Sequence, residues 1–169
     1  DTIQFYVAGA VINQSLPPGV RDGINYEADH TAATLVFYAP GKNRVAVIGD
    51  LPGSNWNEQT TYQLKKDGNY WWIRLTGLTP GTEYSYQYLV DGILKVGEPY
   101  AEKVLDPWND PFIPPATYPG IKAYPTGLTS GVVSILQTNQ AAFNWQTTGY
   151  TRPDKRKLII YELLLRDFL

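Results

Sequence analysis

Asp106, Asn109 and Asp110 place three oxygen donors within five residues, the kind of cluster that can begin a Ca²⁺ site. Calcium takes six to eight oxygens, however, and Asx residues before proline, as in Asp106-Pro107 and Asp110-Pro111, are ordinary turn formers. The stretch is therefore read as a turn, with no metal and no cofactor expected. His30 is the single histidine and there is no cysteine, so the chain has no second imidazole and no thiolate to complete a soft metal site. His30 is expected in a loop or at a strand end. Arg152, Lys155, Arg156 and Lys157 form a short basic run, but against a net charge of -2 they read as a solvated linker rather than a polyanion site. What remains is the chemistry of rings. Aromatic residues make up 14% of the chain, with 13 Tyr and 5 Trp, and such side chains both build β-sandwich cores and stack on the apolar faces of sugars.

The element around which the rest is organised is the stretch 77–92, GLTPGTEYSYQYLVDG, which carries Tyr84, Tyr86 and Tyr88. Tyr84, Tyr86, Tyr88 and Val90 recur at every second position between the turn signals Pro80-Gly81 and Asp91-Gly92, the period of a strand with one packed face. That set is expected to be more buried than Ser85 and Gln87, with Leu89 covered from the other side. Further short strands are read at 24–27, 34–39, 44–48, 62–64 and 70–75, separated by Gly, Pro and Asp turns and with no credible helix between them. Trp71 and Trp72 are adjacent on one strand and so face opposite ways. Trp71 joins Ile73 and Leu75 in the core, whereas Trp72, beside Tyr70 and Arg74, is either a second aromatic surface or covered by the Pro-rich connector, and is read as covered.

This pattern gives an all-β chain, an immunoglobulin-like β-sandwich, with the chain divided into four parts. Residues 1–20 form an N-terminal arm with strand character at 3–7 and 10–12. Residues 21–97 form the sandwich. Prolines at 99, 107, 111, 114, 115, 119, 125 and 153 make 98–157 a long wrapped connector, interrupted by a short strand at 132–136 and pinned by Trp108 and Trp145 either to the sandwich or to a following domain. Residues 158–169, LIIYELLLRDFL, are a strongly apolar element that cannot stand unpaired. It is expected as a strand, or as a helix capped by Asp154, buried against another copy of the chain. Its abrupt stop reads as a cut just inside a second domain. No run of residues is long and apolar enough to cross a membrane, and the balanced charge argues against nucleic acid as a partner.

The strand Leu-x-Pro-Gly-x-x-Tyr-x-Tyr-x-x-x-Val-Asp-Gly, at 78–92, resembles the late strand of the immunoglobulin-like starch-binding modules, carbohydrate-binding module family 48, of the early set type. Residues 158–169 likewise resemble the first barrel strand of α-amylase-family glycoside hydrolases, with Ile160, Tyr161, Glu162, Leu163, Arg166, Asp167 and Phe168 at the matching places. Together with EPYAEKVLDPWNDPFI and YPTGLTSGVVSIL, similar to the connector of such enzymes, the resemblance covers residues 23–169.

The resemblance implies a non-catalytic module ahead of a (β/α)8 barrel that acts on α-glucans such as starch, glycogen or pullulan, by hydrolysis, debranching or branching. It places the catalytic carboxylates on later barrel strands, so none is expected within this chain. It also implies a sugar platform at Asn55 and Trp56, with Gln87 at the place of the modules' lysine and Leu94 at the place of their second stacking Trp. Trp72 is a further candidate if its face is open. Lacking one platform, the module is expected to bind α-glucan weakly at most and to pack against the barrel. The alternative is a structural or protein-interaction sandwich that binds no sugar. The compartment stays open, with a secreted, periplasmic or cell-surface setting favoured.

Overall fold

The computed structural model describes residues 8–162, so the expected strand at 3–7 and the end of the segment 158–169 lie outside the described residues. Among the described residues nine strands follow in chain order: β1 (Gly23–Tyr26), β2 (Ala33–Tyr38), β3 (Val45–Gly49), β4 (Lys65–Asp67), β5 (Tyr70–Leu75), β6 (Glu83–Val90), β7 (Leu94–Val96), β8 (Lys103–Leu105) and β9 (Val133–Gln137). They form two antiparallel sheets, one ordered β1-β2-β5-β4 and the other β3-β6-β9-β8, with β7 hairpinned onto β6. The turn between β6 and β7 has Asp91 at φ 52° and Gly92 at φ 74°. Two successive positive φ values define the tight hairpin that Asp-Gly favours. Asp91 Oδ1 accepts from the Asn43 and Arg44 backbone N–H groups at 2.8 and 3.1 Å, which holds its carboxyl below the usual range.

Between the sheets, the alternating residues of β2, β3, β5 and β6 interdigitate in one core that includes Leu35, Phe37, Val45, Val47, Trp71, Ile73, Tyr86 and Tyr88. Phe37 stacks on Tyr88 at 4.3 Å across the layers, and the Trp71 indole N–H donates to the Ala39 carbonyl at 3.0 Å. Burying these rings removes most of their apolar area from water while the Trp71 polar edge keeps a partner.

Strand β6 departs from the expectation that its two faces differ in burial. Gln87 is 1% exposed and Tyr84 8%, so both faces are closed. The period assigns the faces correctly, with Tyr84, Tyr86, Tyr88 and Val90 in the inter-sheet core. The other face is closed by a second apolar cluster in which Leu89 meets Ile48, Trp56, Leu105, Val133 and Ile135 beneath Ile121 and Tyr124. Lys122 staples that cover down, its Nζ lying 2.9 Å from Asp50 Oδ2 and donating to the Glu83 carbonyl at 2.6 Å.

The sandwich also runs past the expected boundary at 97. The expected strand at 132–136 appears as β9, but it lies between β6 and β8 inside the sheet rather than on a loose connector. Strands β7 and β8 were not anticipated. The expected strand at 62–64 is instead a 3-10 turn at Thr60–Tyr62 followed by β4. In the arm, residues 10–12 form no strand; the arm instead runs beside β4, where Gln14 N donates to the Lys66 carbonyl and Lys66 N to the Ile12 carbonyl, both at 2.9 Å. Trp108 and Trp145 do not pin the connector to the sandwich: both are exposed, and Trp145 meets Phe143 edge-on at 4.7 Å among the described ring pairs. Asp154 caps as anticipated, accepting from the Arg156 N–H at 2.9 Å, but only over the single 3-10 turn Lys155–Lys157. Residues 158–162 carry no strand or helix, and 158–161 are exposed.

Candidate functional site

The loop after β3 turns sharply at Asn55 (φ 47°) and Trp56 (φ 62°), two consecutive non-glycine residues in the left-handed region. Such a conformation costs on the order of 1 kcal/mol per residue and persists only where its surroundings hold it. Here the Trp56 N–H donates to the Gly49 carbonyl at 2.8 Å, the Tyr62 hydroxyl donates to the Pro52 carbonyl at 2.6 Å, and Gln59 Nε2 donates to the Gly53 and Ser54 carbonyls. The result aims the Trp56 ring inward, over the outer face of β3 and β6, where it is only 9% exposed and packs with Ile48 and Leu89. An exposed stacking platform at Trp56 is thus corrected to a core ring. Asn55 beside it is exposed.

Gln87 lies on the same outer face, and it too is spoken for. Its Nε2 donates to the Ser130 and Val132 carbonyls at 2.9 and 2.8 Å, and its Oε1 accepts from the Thr129 hydroxyl. Those bonds satisfy a buried amide and anchor the 129–132 chain; a ligand would have to break them. Leu94 is exposed at the start of β7, outside both apolar clusters. Trp72 faces outward from the other sheet, so it shares no site with Trp56. It is covered as expected, though by the arm and β4 rather than by the connector: its indole N–H donates to the Gln14 carbonyl at 2.9 Å, and Lys65 Nζ sits 4.5 Å from the ring centroid.

The acidic turn behaves as its spacing suggests. Asp106 accepts from the Trp108 and Asn109 N–H groups and from the Asn109 amide, and Asp110 accepts from the Asp106 N–H at 2.9 Å. No cluster of metal-ligating side chains occurs among the described residues. His30 sits in the turn between β1 and β2 at φ 59°.

One buried carboxyl escaped the sequence reading. Glu98 is buried at the foot of β6, where it accepts from the Tyr88 hydroxyl at 2.6 Å and from the Tyr100 N–H at 3.1 Å. Desolvation pushes its pKa up, with the two hydrogen bonds pulling the other way. A carboxyl whose folded pKa is raised contributes most below its unfolded value of about 4.5, and that contribution is lost as pH rises through the folded value. Glu98→Gln removes the titration; its single Oε1 can accept from the Tyr100 N–H, while the Tyr88 hydroxyl, which reaches the other carboxylate oxygen, has to turn and accept from Nε2. Stability curves by urea from pH 4 to 7 are expected to show the wild type losing ground to the variant as pH rises; parallel curves would refute the assignment.

Open ground lies on a rim of the sandwich instead, where Tyr26, Tyr100 and Tyr118 are exposed around Glu102. Only the high tyrosine content hinted at them, because nothing in their spacing along the chain brings residues 26, 100 and 118 together.

The model of the family carbohydrate-binding module 48 (isoamylase N-terminal domain) matches residues 23–109. No curated protein matches the chain. Solved structures similar to it include the catalytic module of the multi-modular glycogen-degrading pneumococcal virulence factor SpuA, at 21% identity and TM-score 0.45 over 70% of this chain and 16% of that one. The GBS pullulanase SAP in complex with maltotetraose is similar at 22% identity and TM-score 0.42, over 57% of this chain and 13% of that one. Ligand-free PulA from Klebsiella pneumoniae follows at 17% identity and TM-score 0.36, over 52% and 9%. The chain thus spans no more than 16% of the length of these proteins.

Proposed function

This chain belongs to the carbohydrate-binding module 48 (isoamylase N-terminal domain) family, and from that premise we propose that it is a non-catalytic module of an α-amylase-type enzyme acting on α-glucans. Its main task in this reading is to pack against the catalytic barrel. The observation that supports this is the closed outer face of β6: Trp56 is part of a core and every polar atom of the Gln87 amide has a protein partner. A module whose expected sugar platform is built into its own interior is a packing unit first.

Residues able to meet a barrel are present. Phe143, Trp145, Tyr150, Ile159, Ile160 and Tyr161 are exposed along a stretch outside both sheets. An apolar run of that kind marks an interaction surface. The barrel is its proposed cover, and in the chain alone it is the surface through which copies would associate.

The catalytic carboxylates of a retaining glycosidase flank the scissile bond, and in this reading they belong to the barrel. The purified chain is therefore expected to release no reducing sugar from starch, pullulan or maltooligosaccharides. Reproducible release by the chain would overturn the non-catalytic assignment.

A further inference from the structure

Three hollows meet at Glu102 on the rim where β1, the edge of one sheet, faces residues 100–104, at the edge of the other. Their volumes are 530, 560 and 570 Å³, each within the range of a small-ligand site. Each contains one exposed tyrosine: Tyr100 in the first, Tyr26 in the second and Tyr118 in the third. None of the three takes part in either apolar cluster, so the fold does not need their rings for its core.

The rings are nevertheless held. Gly23, at φ 87°, seats Tyr100: a Cβ there would fall 2.7 Å from the Tyr100 Cβ and 3.2 Å from its Cγ. Tyr100 rests on bare backbone and remains 61% exposed. Lys103 Nζ lies 4.8 Å from the Tyr118 ring centroid and donates to its hydroxyl at 2.9 Å, while Glu83 fixes the lysine at 2.6 Å. The Tyr26 hydroxyl reaches Glu102 Oε2 at 3.5 Å, and Gln140 Nε2 donates to the same oxygen at 3.1 Å. Exposed rings that are already ordered lose little entropy when something stacks on them.

Charge narrows the ligand. Arg74 and Lys103 are paired with Glu27 and Glu83 at 2.7 and 2.6 Å. The acids Asp22 and Glu102 then face the one other basic lining residue, Arg21. A polyanion finds no net positive field there. Rings alternating with carboxylate and amide groups suit a neutral, polyhydroxylated chain, its apolar sugar faces on the tyrosines and its hydroxyls on Glu102 and Gln140.

We propose that this rim binds a neutral glucan chain laid across Tyr26, Tyr100 and Tyr118, with Glu102 at the junction. The site is separate from the buried Trp56 and Gln87 face, and only the choice of an α-linked glucan rests on the functional reading above. The test is a chemical-shift titration of the ¹⁵N-labelled full chain with maltoheptaose, with cellohexaose and with a sulfated oligosaccharide. Saturable shifts are expected at Gly23, Tyr100, Glu102, Lys103 and Gln140 with millimolar affinity. Tyr100→Ala and Tyr118→Ala are each expected to weaken binding roughly tenfold, and Tyr118→Phe, which keeps the ring, to change it by less than about twofold. Shifts centred on Trp56 and 121–132 that survive both alanine variants would overturn the rim site and leave the α-glucan reading standing. Binding of cellohexaose alone at the same amides would uphold the rim site and sink the α-glucan assignment. No shifts with either neutral sugar up to about 20 mM, or shifts with the sulfated sugar alone, would overturn the inference. Because the mapping uses the unmodified chain, it decides the matter even if a variant misfolds.

Discussion

Trp56→Ala is expected to destabilise the fold by about 3 kcal/mol while leaving any glucan affinity unchanged. The ring packs among Ile48, Leu89, Leu105, Val133 and Ile135, and its deletion would leave a cavity between β3, β6, β9 and the cover supplied by residues 121–132. Surrounding residues would collapse only partly, because Lys122 and the Gln87 bonds hold that cover in place. Urea denaturation gives the stability change, and a maltoheptaose titration of the same variant gives the binding. A variant with wild-type stability and lost binding would mean that the 50–59 loop swings outward in solution and presents the indole to sugar. The left-handed pair Asn55 and Trp56 makes this a sharp test, since an outward ring requires that backbone turn to be rebuilt.

Gly49→Ala is expected to cost about 3 kcal/mol or to abolish folding, a large effect for one methyl group. Gly49 ends β3, where its backbone pairs opposite Tyr86. A Cβ there would lie 2.2 Å from the Ser85 carbonyl oxygen and 3.0 Å from the Tyr86 Cα, so backbone and not a flexible side chain would have to move. The same residue's carbonyl accepts the Trp56 N–H, so displacement would pass directly into the loop and the second cluster. Thermal melting of the variant beside Gly53→Ala makes the control, because nothing lies within 4 Å of a Cβ on Gly53. Equal melting temperatures for the two would show that the strand ends separate freely. Gly53 has φ 78°, so its own alanine variant is expected to cost about 1 kcal/mol from backbone strain alone.

Local pattern by itself determined the sandwich. The two-residue period of Tyr84, Tyr86, Tyr88 and Val90, the adjacency of Trp71 and Trp72 and the Asp91-Gly92 turn are properties of neighbouring residues, and strand geometry converts them directly into faces and reversals. The family, too, was legible in the strand at 78–92, through the resemblance of its Pro80-Gly81, Tyr84, Tyr86 and Val90-Asp91-Gly92 to the motif of the starch-binding modules. Exposure was not legible. Whether Gln87, Trp56 or Trp72 meets water depends on which distant chain lies over it, and those covers come from residues 121–132 and from the arm near Gln14. Strand β8 was hidden for the same reason: three residues, Lys103–Leu105, have no period to read, and they become a strand only because β9 offers them a ladder. The rim tyrosines are the extreme case. Residues 26, 100 and 118 belong to three separate segments, and only the closing of one sheet edge against the other brings them around Glu102. Side-chain alternation is a local consequence of backbone geometry and can be read along a line, whereas a site is a meeting of segments far apart in sequence, which the line does not contain.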